Sequence, residues 1–94
     1  MKRIEQKVRF SLGETVITQS AQGVLNMEDV ACSLQRHLVG DWGNVSKADE
    51  RENNLSLREG FRLLSVYKDR NGQVFWIITE ADRSATTVLL PQDY

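Results

Sequence analysis

His37 is the only histidine in the sequence. Asp41 follows it by four residues, inside the stretch RHLVGDWGNV at residues 36–45. On an unbroken helix that spacing places both side chains on one face, where a carboxylate can orient an imidazole for general-base chemistry. Gly40 stands between them and favours a left-handed helix stop. A histidine in the last turn of a helix is also favoured by the macrodipole, so His37 reads first as a capping residue. Trp42 lies between Gly40 and Gly43. Buried, its ring would lock the bend; exposed, it would anchor a protein partner. A second polar concentration is TEADRSATT at residues 79–87, with Glu80, Asp82 and Arg83 on a turn between apolar runs. Asp82 can form an Asx turn there, and Ser84 can bond its own backbone. Glu80 and Asp82 lack a third placed ligand, so the metal reading is weak.

Other chemistries are set aside by what is missing. Cys32 is the single cysteine, which excludes an intramolecular disulfide and a thiolate-rich zinc site. Cys32 and His37 cannot pair as nucleophile and base on one helix, because five residues rotate them about 140° apart. The sequence has no phosphate-binding loop, glycine-rich dinucleotide fingerprint, HExxH or GxSxG. No cofactor and no metal are expected. A chain this short rarely encloses a deep pocket.

These residues must be held by elements readable from period and caps. Residues 4–12, IEQKVRFSL, alternate apolar and polar and predict a half-buried strand. Gly13-Glu14 is a plausible turn, TVIT (15–18) a second short β-branched run, and residues 19–26 have room for one helical turn weakened by Gly23. Asn26 can cap a helix over 27–39, with Met27, Val30, Ala31, Leu34 and Leu38 on one face and His37 at its edge. Ser46, three residues before Asp49, starts a second, more polar helix over 47–59 that stops at Gly60. From Phe61 the period changes. FRLLSVYK, the turn DRNG, QVFWIITE, ADRSA and TTVLL predict an antiparallel meander over 61–90. Its strands are apolar on both faces and need cover on both sides. The fold class is therefore α+β: a small antiparallel sheet carrying two main helices, in a single domain of residues 1–94.

Composition narrows the partners. The chain has 94 residues, 40% of them hydrophobic and 27% charged, as in ordinary globular proteins. Twelve basic residues against 13 acidic ones leave a net charge of −1. That balance argues against bulk electrostatic binding of nucleic acid and equally against mimicry of it. Lys2, Arg3, Lys7 and Arg9 make the N-terminal segment mildly basic, and Glu80, Asp82 and Asp93 make the C-terminal segment mildly acidic. No apolar run is long enough to span a membrane, and a lone thiol suits a reducing compartment, so a cytoplasmic location is expected. An open edge on FWIIT or TVLL would permit a homodimer.

Four stretches carry a resemblance: FSLGETVIT, RHLVGDWGNV, ADERENNLSL-EG-R-LSVY and FWIITEADRSATTVLLPQDY, together most of residues 10–94. The chain resembles a family of short proteins found on bacterial plasmids, phages and other mobile elements. Its members often carry the label "type I restriction endonuclease subunit M" and have no assigned activity. The label does not suit this chain, which is far too short for a methyltransferase's cofactor domain and lacks its motifs. The family pattern differs here around Gln19–Gly23, where a Pro-Gly or Gly-Ala step is more usual. The resemblance implies a non-enzymatic accessory protein that binds a host protein, such as an inhibitor of CRISPR or restriction systems. The expected contact surface joins the two bends through His37, Asp41, Trp42, Asp82 and Arg83. Two alternatives stand beside it. One is a small enzyme or toxin, such as a nuclease, using His37 with Asp41, Glu80 or Asp82. The other is a nucleic-acid-binding regulator using Lys2, Arg3, Lys7 and Arg9.

Overall fold

The computed structural model describes residues 7–94. The chain runs β1 (Glu14–Ile17), α1 (Gln19–Val24), α2 (Met27–Leu38), α3 (Lys47–Glu59), β2 (Leu63–Lys68), β3 (Val74–Thr79), β4 (Ala85–Leu89) and a 3-10 turn (Pro91–Asp93). The class is α+β, as the periodicities indicate. The sheet has four strands in the order β1-β4-β3-β2. It is mixed rather than wholly antiparallel: β2, β3 and β4 form the antiparallel meander, and β1 joins β4 in parallel.

The N-terminal strand expected over 4–12 falls partly outside the described residues. Its described part, 7–12, is an irregular strap, bonded through the Arg9 N–H to the Leu38 carbonyl at 2.9 Å. The strand is TVIT, shifted by one residue. TVIT then leads directly into a third helix, α1, because Thr18 accepts from the Ala21 N–H and caps it.

The two main helices start as their caps dictate. The Asn26 side chain accepts from the Asp29 N–H at 3.1 Å, and the Ser46 hydroxyl from the Asp49 N–H at 3.1 Å. Gly60 closes α3 in the left-handed conformation. At the β2–β3 turn only Gly72 takes positive φ; Asn71 does not. The buried Asp69 carboxylate organises that turn instead, accepting from the N–H groups of Asn71 and Gln73 and from Asn26 at the foot of α2. These donors, the Asn26 amide first, hold its pKa below the usual carboxylate range.

Alternation divides the sheet. One face presents Ile17, Tyr67, Phe75, Ile77 and Val88, onto which α1 and α2 pack Ala21, Leu25, Val30 and Leu34. The opposite face follows from the register: Val16, Thr87, Ile78 and Leu64 form one row across all four strands, and Leu89, Trp76 and Val66 the next. The C-terminal residues cover part of it, with the Tyr94 ring 5.7 Å from Trp76 and the Arg62 guanidinium over Tyr94.

FWIIT and TVLL leave no open edge, because β3 and β4 lie inside the sheet. The edges are β1 and β2, and β2 is closed in two ways. The buried Asn53 side chain of α3 donates to the Leu64 carbonyl at 2.7 Å and accepts its N–H at 3.1 Å. Beyond it, Val66 donates to the Trp42 carbonyl, and the Asn44 N–H donates to the Val66 carbonyl. Gly43 makes this approach possible: it has positive φ, and a Cβ there would overlap the Val66 carbonyl and the Tyr67 ring. Replacing Asn53 by alanine strands both Leu64 backbone groups, and urea denaturation should show a loss of about 2 kcal/mol. A loss under about 0.5 kcal/mol would mean that water replaces the amide without cost.

Candidate functional site

The two polar bends do converge, and the residue that joins them is Phe10 of the strap. Its ring lies 5.2 Å from His37 edge-on, 6.4 Å from Trp42 in a stacked arrangement and 5.7 Å below the Arg83 guanidinium. His37 and Trp42 also meet edge-to-face at 5.6 Å. Offset and edge-on contacts of this kind are favourable for π systems, and each ring here shields the next from water.

His37 is fully buried and is not a cap. Its Nδ1 lies 2.6 Å from the Ser65 hydroxyl and its Nε2 2.9 Å from the Thr79 hydroxyl. The Thr79 hydroxyl contacts the Thr86 hydroxyl at 2.7 Å, and Thr86 donates to the Leu12 carbonyl at 2.7 Å. The end of this chain fixes its direction. A carbonyl can only accept, so the Thr86 proton points at Leu12. Thr79 must then donate to Thr86, and the Thr79 oxygen accepts from Nε2–H. That leaves a lone pair on Nδ1 for the Ser65 proton. One tautomer of neutral imidazole therefore satisfies every group. Burial, with a smaller contribution from the Arg83 charge, pulls the His37 pKa down to about 4.

This arrangement does not suit catalysis. Both ring nitrogens are bonded to hydroxyls, and no carboxylate bonds either of them. Ser65 sits at hydrogen-bond distance from an imidazole, yet it is itself fully buried, with no surface for a substrate. Asp41 is instead bound by Arg36, at 2.8 Å from Nε and 3.2 Å from the second nitrogen, and accepts the Gly43 N–H. The Arg36 hydrogen bond is the main reason its carboxyl titrates below the usual range. Glu80 faces Arg62 at 3.7 Å. Asp82 forms the expected Asx turn, accepting from the Ser84 N–H at 3.0 Å. The catalytic grouping of His37 with Asp41, Glu80 or Asp82 is thus not assembled. Cys32 is exposed on α2. Among the described residues no three potential ligands cluster to hold a metal ion.

Nor do all five expected contact residues present a surface. Trp42 is 3% exposed, and its indole N–H donates to Asn54 at 3.1 Å. Arg83 adopts positive φ, 62°. Its guanidinium donates to the carbonyls of Phe61, Glu80, Ala81 and Ser56, so it ties the β3–β4 turn to the end of α3. His37, Trp42 and Arg83 are parts of the scaffold. Asp41 and Asp82 remain on the surface. An open groove of about 500 Å³ borders Asp41, lined also by Lys7, Arg9, Val39 and Gly40.

Phe10, Ser65, Thr79 and Thr86 were not singled out by the sequence reading. The signal for the three hydroxyls was present: each interrupts an apolar strand at a position that alternation assigns to the buried face, and a buried hydroxyl requires a partner.

No helix among the described residues is long and apolar enough to cross a membrane. Comparison with protein-family models, with curated proteins and with solved structures finds no match.

Proposed function

We propose that this chain is a non-enzymatic protein-binding module, an accessory protein of a bacterial mobile element acting on a host protein, such as a component of a defence system. The observation that supports it is the closed state of the His37 network. The one imidazole and its hydroxyls are consumed in holding the core together, and His37, Ser65, Thr79 and Thr86 are all fully buried. What remains for function is surface.

The contact surface we assign is the groove beside the first bend, lined by Lys7, Arg9, Val39, Gly40 and Asp41, the last of these paired with Arg36. Charged groups of both signs on a rigid corner suit a protein epitope of matching pattern better than the uniform charge of a nucleic-acid backbone. Tagged chain should retain one host protein in stoichiometric amount, and a Lys7→Glu/Arg9→Glu variant with an unchanged circular dichroism spectrum should lose it. Equal capture by both forms, or capture of nothing, overturns the assignment. Cleavage of DNA or RNA by the native chain that disappears in His37→Gln would establish the enzyme reading in its place.

A further inference from the structure

We propose that β1 is a pairing edge for a second copy of this chain, through an antiparallel β1–β1 contact about a two-fold axis at Val16. The starting point is an asymmetry between the two edges of the sheet. The β2 edge is occupied by the Asn53 amide and by the backbone of Trp42 and Asn44. The β1 edge has no such cover among the described residues. Proteins usually blunt an open edge with proline, lysine or a bulge. Glu14–Ile17 has no proline, lysine or bulge; it is short and its one charge, Glu14, sits at its start, which leaves Thr15 and Val16 as exposed β-branched residues on the open edge.

The parallel ladder decides which backbone groups face outward. Glu14 donates to the Ser84 carbonyl and Thr18 to the Val88 carbonyl, so the even-numbered residues bond β4. The N–H and C=O groups of Thr15 and Ile17 therefore point away from the sheet. A two-fold at Val16 sets Thr15 of one copy opposite Ile17 of the other, and the reverse, so both pairs exchange N–H···O bonds. Val16 then meets its own symmetry mate as the non-hydrogen-bonded pair, with Cα atoms about 4.5 Å apart. Glu14 falls opposite Thr18 of the other copy, which keeps the two carboxylates from facing each other.

The side chains agree with this register. Val16 is 42% exposed and ends the row Leu64, Ile78, Thr87, Val16 on the half-covered face. Pairing at Val16 joins that row to its copy and makes one continuous apolar strip across an eight-stranded sheet. The contact involves a short strand, so it belongs with small, weak interfaces rather than obligate ones.

Analytical ultracentrifugation of the native chain should show a reversible monomer–dimer equilibrium with a midpoint at roughly 1–100 μM. Val16→Lys places two ammonium groups on the axis, and that variant should stay monomeric with native circular dichroism, since the side chain already faces solvent. In a Cys32→Ser background, Val16→Cys should form a disulfide-linked dimer on mild oxidation with diamide. Thr15→Cys should not, because its opposite residue is Ile17. A native chain that stays monomeric to about 1 mM, a Val16→Lys chain that still dimerises, or equal crosslinking at both positions overturns the proposal. None of these outcomes depends on the groove at Lys7 and Arg9, so the two assignments fail separately.

Discussion

Trp42→Ala should destabilise the chain by about 3–5 kcal/mol, the range for truncating a buried large aromatic side chain. Domains of this size have total stabilities of roughly 5–14 kcal/mol, so the variant should be marginally folded at room temperature. Three contacts are lost together. The indole stacks on Phe10, meets the edge of His37 and donates to Asn54. Its removal also thins the cover over a network with no other access to water. Urea denaturation followed by far-ultraviolet circular dichroism reads the effect directly. A loss of less than about 1 kcal/mol would show that the ring is dispensable to the core and available to a partner after all. Asp41→Ala, at the neighbouring position of the same bend, removes an exposed ion pair and an exposed hydrogen bond from the Gly43 N–H, and should cost about 1 kcal/mol.

Acid should weaken the fold well above the range in which carboxylates titrate. His37 has a folded pKa of about 4 against an ordinary value near 6.5. The folded state therefore holds fewer protons than the unfolded state between those values. The stability from keeping the ring neutral is fully present above pH 6.5 and declines as pH falls toward 4, by about 1.4 kcal/mol per pH unit. The total is about 3 kcal/mol, an order-of-magnitude figure. Over most of this window the carboxylates held low by their partners, among them Asp29, Asp41, Asp69 and Asp93, stay ionised. The slope between pH 6.5 and 4.5 therefore belongs to the histidine. Protonation also breaks the order of the hydroxyls: Nδ1 becomes a donor, and Ser65 must turn its proton elsewhere. Denaturation midpoints measured from pH 7 to 4.5 should fall for the native chain and stay level for His37→Gln. A level native profile would mean that water reaches the ring.

The helices and the meander were legible because each rests on local signals. Asn26 and Ser46 cap their helices, Gly60 stops α3, and alternation marks β2 to β4. The position of β1 was not legible. Its pairing with β4 depends on residues far away in the chain, and four residues of β-branched character do not state a partner or a direction. The site failed for a related reason. Gly40 correctly marks the helix stop between His37 and Asp41, but local signals read His37 as a cap, whereas its ring leaves α2 for the hydroxyls of the sheet while Asp41 turns to Arg36. Arg83 looked like a surface anchor because it sits in a turn. Its positive φ sends the guanidinium inward to carbonyls, a choice that only the tertiary fold reveals.

The parallel pairing of β1 with β4 joins Glu14 to Ala85, about seventy residues later in the chain. Closing so long a loop is entropically slow, and among the described residues β4 is the one strand to which β1 is paired. During translation, then, the helices and the hairpin can form as they leave the ribosome, while β1 and the strap that plugs His37 stay undocked until β4 is outside the exit tunnel. The aromatic plug is accordingly among the last pieces placed, and for that interval the nascent chain displays the imidazole and its hydroxyls that the finished molecule conceals.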